Sequence, residues 1–413
     1  MLKKTMTLFV ILGVLSLTAC SYGLTPNSVS ESPSGSEESP AATSESDHNS
    51  ALPEEELSFA PIDDIMSKMD ATNLYELRMV DEHIGYVLGI NQNHTQKSAD
   101  GELIPEAVLA RFDFKTGEIT VVHRKNQPAA WFYRMQAAKQ PDGTEVVFDG
   151  QTICTVVNGS VKDSFSLPEA LTGNPAAIYD ADYHIGTDYF AYVAPDTKDL
   201  FVKNFKTGDT STPFPAVDSG KQHAYAPLFS LGGDQLLFFK GGKNSGEYDS
   251  IIGLNMKGDK LFETEKPKRL AFETFPGWLE DDFYTMQATD SSTDTKSGLV
   301  TYFTLYDKSG SVNRNLILDC KLSALQRYSS SEAGLCFTAL VKEEPEGKSL
   351  FSYAVGLLNL RLGQAYFVQR SDIRIISCDL SPSGSVLAWL EDEHIRAIPL
   401  ADAPREPVSV AVN

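Results

Sequence analysis

Seven short apolar segments recur along the chain at intervals of about fifty residues: 84–90, 144–150, 189–195, 235–241, 282–288, 334–340 and 385–391. Self-similarity at a near-constant period limits the fold more than any composition, because a unit too small to bury its own apolar face must stack on copies of itself. Each segment is followed by another strand-like stretch. In six of the seven that stretch ends in a turn carrying a glycine: Gly117, Gly159, Gly208, Gly258, Gly310 and Gly363. The seventh repeat has residues 398–404, without a glycine, in that place. After each turn comes a polar stretch alternating with period two, as in 118–124 and 365–371, the pattern of a half-buried edge strand. A short turn and a first strand precede each apolar segment.

Four strands per unit, seven units and almost no helical periodicity predict an all-β fold, a seven-bladed β-propeller over residues 58–413, with six or eight blades as the neighbouring solutions. A pair of stacked sandwiches is the alternative, and it fits less well because its repeats have no reason to keep one phase. The last residues, 407–413, read as the strand that finishes blade seven. The ring then closes by packing of blade seven on blade one, unless residues 56–63 add a strand.

Two lead-in corners, Gln140-Pro141-Asp142-Gly143 and Ser381-Pro382-Ser383-Gly384, each run into an apolar strand. They resemble the hallmark of TolB-type and related WD-repeat-like bacterial propellers, and the resemblance extends over roughly residues 70–413. The other five repeats depart from the Pro-x-Gly form, and no repeat has the Gly-His or Trp-Asp pair of the eukaryotic version. Such propellers share no activity, so the resemblance implies a fold and not a function.

The N-terminus reads differently. Lys3 and Lys4 precede an uninterrupted apolar run that ends on Ala19 and Cys20, the layout of a secretory signal. Leu17 to Cys20 resembles the lipobox of bacterial lipoproteins. That resemblance implies removal of residues 1–19 after Ala19 and a diacylglycerol thioether on Cys20, a membrane anchor on the extracytoplasmic side. Ser21 is compatible with the outer membrane in a Gram-negative cell. Residues 21–57 hold eight acidic side chains and no Lys or Arg, rich in Ser and Pro. Residues 20–57 are thus expected to be a lipidated cysteine followed by a disordered tether. The net charge of -21 argues against nucleic acid as a partner.

In a propeller the connections between strands two and three, and between successive blades, share one face. Here they are the long ones, which makes that face the candidate binding surface. Its links carry Lys221, His223, Arg269, Arg327 and Arg374, with Arg124, Lys125, Lys266, Lys268, Lys321 and Arg370 in or near them, and the aromatics Trp131, Tyr133, Tyr225 and Tyr328. An electropositive mouth receiving an anionic peptide or envelope glycan is one reading. Cations that solvate the loops and pair with neighbouring acids, and aromatics that pack, are the plainer one.

Trp278 and Trp389 fall on strands and are expected to fill space between blades. Cys154, Cys320, Cys336 and Cys378 have no metal or C-x-x-C spacing; buried thiols are expected, with Cys336–Cys378 as the one plausible disulfide. No catalytic serine elbow, zinc-protease motif, phosphate loop or dinucleotide fingerprint occurs, and Glu280, Asp281 and Asp282 fit a turn better than a metal site. No cofactor and no metal are expected. The function expected is a membrane-anchored, non-catalytic binding or scaffolding module for a protein, peptide or glycan. The alternatives are an envelope glycan lyase or hydrolase using carboxylates on the long-loop face, and a sensory or assembly accessory.

Overall fold

The computed structural model describes residues 59–97, 101, 103–126, 135–149, 152–166, 183–186, 188–193, 199–204, 206–214, 223–230, 233–241, 248–265, 275–279, 282–290, 299–322, 329–331, 334–343 and 350–412. Seven antiparallel sheets follow one another along the chain, each built of strands in sequence order, with two C-terminal strands added to the outer edges of the fifth and sixth. Blade one is Asn73–Met79, Ile84–Lys97, Leu103–Asp113 and Glu118–Asn126, from innermost to outermost. Every recurring apolar segment falls on the second strand of its blade, with a strand paired on each edge and a neighbouring blade on both faces. That is why it reads as a continuous apolar run rather than an alternation. The protein is a seven-bladed β-propeller.

The repeated glycine has a local cause. All six turn glycines adopt φ between 66° and 87°, a region that is strained for residues with a Cβ. In five of the turns an Asp or Asn before the glycine accepts backbone N–H groups of the turn: Asp113, Asn204, Asn255, Asp307 and Asn359. Asx geometry and left-handed glycine together fold strand three onto strand four. The two Pro-x-Gly corners are the hairpins between strands one and two, with Gly143 and Gly384 also at positive φ.

Among the described residues the buried apolar side chains form seven clusters, one at each junction between successive blades. The core is thus a ring of seams and not a single centre. Trp278 packs in the seam between blades four and five and donates its indole N–H to the Leu228 carbonyl at 3.0 Å. Trp389 packs between blades six and seven. Both tryptophans fill seams, as expected.

Ring closure corrects one expectation. The sheet of blade seven, Ile375–Leu380, Val386–Glu391 and His394–Pro399, is completed on its outer edge by the N-terminal segment and not by residues 407–413. Ile62 bridges Ile395 in antiparallel sense, and the Ile395 N–H donates to the Ile62 carbonyl at 3.0 Å. Asp63 accepts from Arg396 and pairs with His394, which lowers its pKa. Fully buried Ile62 and Ile65 drop into the cluster shared by blades seven and one.

The C-terminal tail instead turns back. Glu406–Val408 pairs with the outermost strand of blade six, and Val410–Val412 with that of blade five. With the edge of blade seven already occupied, the alternating tail covers the next two free edges, which would otherwise be templates for association.

Candidate functional site

The path of the chain fixes the two faces. The Ala60 N–H donates to the Phe114 carbonyl, beside the turn between strands three and four of blade one, so residues 59–61 lie at the short-turn face. The chain then runs along blade seven to Ile65, whose N–H meets the Glu393 carbonyl in the strand two-to-three turn, on the long-loop face. A five-residue helix, Ile65–Met69, lies there before blade one begins.

Of the residues expected at the binding face, Trp131, Lys221, Arg269, Arg327 and Tyr328 lie outside the described residues, as do Ala19 and Cys20. His223 and Tyr225 belong to the innermost strand of blade four, His223–Phe229, where their backbones pair with Gly241 and Phe239, and not to the preceding link. Arg374 is exposed at the entrance to the innermost strand of blade seven, where the link was expected to put it.

Three other cations of the suggested mouth sit elsewhere. Arg124, Lys125 and Arg370 lie on outermost strands, which form the rim of the ring. Arg124 bonds Glu106 at 3.0 Å and the Met69 carbonyl at 2.7 Å, Lys125 reaches Thr152 at 3.1 Å, and Arg370 holds both oxygens of Glu406 while lying over the Phe367 ring. These are structural pairs, in line with the plainer reading. Exposed apolar side chains do occur on the long-loop face: Leu103 at 64%, Phe351 at 55% and Ile373 at 53% exposure.

A second constellation was not visible in the sequence. Arg78, on the innermost strand of blade one, bonds Glu76 at 2.7 Å and the Met135 carbonyl at 3.1 Å at the entrance to blade two, and lies 3.8 Å from Asp379 of blade seven. Its charge also acts on His184 of blade three, and the Cys336 and Cys378 thiols of blades six and seven lie within its field. Arg78 thus joins blades one, two and seven near the axis of the ring, where the innermost strands lie. Burial opposes its charge, but the Glu76 and Asp379 carboxylates outweigh that and raise its pKa.

The acids around Arg78 also stitch the ring. Inner strands have one edge without a strand partner, and polar side chains of the adjacent blade satisfy it: the Leu77 and Met79 N–H groups donate to Ser377 and Asp379, and the Met135 N–H to Glu76. In the same way the Phe229 N–H of blade four donates to His184 Nδ1 at 3.3 Å. Away from the axis, Glu145 of blade two takes both Arg111 donors and the Tyr86 hydroxyl of blade one.

His184 is held neutral at ordinary pH. Burial first, and the Arg78 charge second, lower its pKa from 6.5 to about 4. An unfolded chain therefore binds this proton more readily, so stability is lost as pH falls from 6.5 towards 4. Between pH 7 and 5 the loss is expected to reach up to about 2 kcal/mol. Urea midpoints of wild type and His184→Gln at the two pH values measure it; the glutamine variant is expected to lose less on acidification.

What the axial group does chemically is neutralise and brace: one guanidinium between two carboxylates. Among the described residues no three His, Cys, Asp or Glu side chains gather to hold a metal ion. Asp282 of the acidic turn lies 3.4 Å from Arg361 of blade six; Glu280 and Asp281 lie outside the described residues.

No family model and no curated protein matches the chain. Solved structures align over most of it. Kuenenia stuttgartiensis hydrazine synthase is 11% identical, covering 80% of this chain and 97% of that one, with a TM-score of 0.47. The β-propeller domain of Myceliophteria thermophila Cps50 (Swd1) is 8% identical over 79% and 97%, at 0.46. KlHsv2 with loop 6CD replaced by a Gly-Ser linker is 8% identical over 83% and 97%, at 0.44. Likenesses this distant assign no family, and the seven-bladed propeller rests on the chain's own sheet order and seams.

Proposed function

We propose that the protein is a lipid-anchored, extracytoplasmic binding module of a bacterial envelope. In this reading Cys20 carries the lipid, residues 21–57 are the tether, and the propeller engages a partner protein or peptide on its long-loop face without catalysis. The observation that supports it best is the entry of the chain at the short-turn face, beside Phe114. Residues 59–61 thus sit on the face opposite the one that carries Leu103, Phe351 and Ile373, as a membrane-held receptor surface requires. Exposed Leu103, Phe351 and Ile373 favour a protein or peptide over an anionic glycan, since Arg124 and Arg370 are already engaged by Glu106 and Glu406.

Two measurements test this reading. Cys20→Ser is expected to abolish fatty-acid labelling and to move the protein from the membrane to the soluble fraction; labelling that persists refutes the anchor. Crosslinked capture of envelope partners is expected to fall at least tenfold for Leu103→Asp/Phe351→Asp/Ile373→Asp. Val312→Asp/Leu362→Asp, at the opposite end of the strands, is expected to capture like wild type. Equal capture by both variants removes the long-loop face from the proposal.

A further inference from the structure

The seam between blades seven and one sets two innermost strands level: the Leu77 and Met79 N–H groups of blade one donate to Ser377 and Asp379 of blade seven. From that level the two blades rise to different heights. Strand two of blade seven ends at Glu391, opposite Ile375, and residues 391–394 close a tight turn. Strand two of blade one passes Ile90, opposite Asn73, and runs on to Lys97, and strand three returns from Leu103. Residues 103–106 therefore rise up to about 13 Å above the level of Ile90, at about 3.3 Å per residue.

The tall hairpin is braced at its base. Glu106 accepts from Arg124 at 3.0 Å and lies 3.3 Å from His94 Nδ1, and the Asn126 amide donates to the His94 and Ile104 carbonyls at 3.2 and 3.1 Å. Alternation decides which side chains it offers to blade seven. Val108 and Ala110 pack in the seam with that blade, so Glu106 and Ile104, on the same face of the strand, front the space above it. Blade six supplies the other flank. Its Val355 and Tyr353 pack in the seam with blade seven, which puts exposed Phe351 on the same face. Between the flanks the floor consists of the turn 391–394, the helix Ile65–Met69 and the link that carries exposed Ile373. It is held together by the Asp392 N–H on the Arg374 carbonyl at 3.1 Å and the Ile65 N–H on the Glu393 carbonyl at 3.2 Å.

This floor is acidic. Asp64, Asp70, Asp372 and Asp392 are exposed on it and Glu393 is half-buried, against the cations Lys68 and Arg374. That is the reverse of an electropositive mouth. We propose, on the reading that the long-loop face engages a partner, that the cleft over blade seven binds an extended segment of a partner protein in which apolar side chains alternate with Lys or Arg. Phe351, Ile373 and Ile104 meet its apolar side chains, and the floor carboxylates meet its cations. A second copy of this chain, at a net charge of -21, has the wrong sign.

Fluorescence anisotropy of labelled peptides against the full chain carrying Cys20→Ser provides the test. Gly-Lys-Leu-Lys-Leu-Lys-Gly is expected to bind, and its counterparts with Glu for Lys, or Ser for Leu, at least tenfold more weakly. Asp372→Asn/Asp392→Asn/Glu393→Gln is expected to weaken the lysine peptide about tenfold through the loss of exposed charge pairs, and Phe351→Ser to weaken it as well. Asparagine tolerates the positive φ of Asp392, so the triple variant keeps the turn. Lysine and glutamate peptides that bind equally, or not at all, overturn the proposal, as does a triple variant that binds like wild type. The chain tested is unlipidated, so a failed anchor leaves the result untouched. Peptides that are not discriminated, while partner capture still falls for Leu103→Asp/Phe351→Asp/Ile373→Asp, remove the cleft and leave the long-loop face standing.

Discussion

Arg78→Met is expected to destabilise the propeller by about 3–5 kcal/mol, the largest effect of any single substitution outside the apolar seams. The methionine fills most of the arginine's length, so the loss does not come from an empty space. It comes from Glu76 and Asp379, which stay buried without their shared cation. Both acids also accept backbone N–H groups across seams, so the chain has no means of turning them out to water without opening the ring.

Urea unfolding of the variant gives the size of the effect. A triple variant, Arg78→Met/Glu76→Gln/Asp379→Asn, gives its cause: the amides keep an accepting oxygen for Met135 and Met79 while removing the stranded charge, so most of the loss is expected to return. A single variant within about 1 kcal/mol of wild type contradicts the axial role, since breaking a buried pair on one side alone costs several times that.

Ile62→Ala is expected to cost about 2–5 kcal/mol, the range for truncating a fully buried isoleucine. Its second effect is local. The Ile395 amide, which donates to the Ile62 carbonyl, is expected to exchange with deuterium much faster than in wild type, together with the rest of His394–Pro399. Amides of the second strand of blade six are expected to keep their protection until global unfolding. Uniform acceleration throughout the ring contradicts the claim that residues 59–63 are a closure specific to blade seven.

The parts of the fold legible in the sequence are those with a local cause. Second strands announce themselves because both of their faces are buried, and turn glycines because positive φ admits few other residues. Neither signal needs a distant partner. Glu76 and Arg78 were hidden for the same reason in reverse: in Asn73–Met79 they alternate with Leu77 and Met79, which reads as a strand with one wet face. On this innermost strand Glu76 is buried and Arg78 mostly so, and the ring geometry that encloses these charges appears only when all blades are in place.

Ile62 lies in the segment 56–63 that the sequence offers as a closing strand, but a one-residue bridge among acidic neighbours has no period that could decide it. The tail at 407–413 was readable as a strand but not as to partner, since pairing over such a separation is decided by which edges are left. The binding surface is the least legible part, because its residues lie in connections, where periodicity carries no information about direction.

The pairing of Ile62 with Ile395 sets a schedule for biogenesis. The first described segment of the chain finds its place only after the last blade has been made, and the tail that covers blades five and six comes later still. Until blade seven is made, Ile62, Ile65 and Met69 lack the part of their packing surface that Ala388, Leu390 and Ile395 supply, so this stretch stays exposed longest in the growing chain.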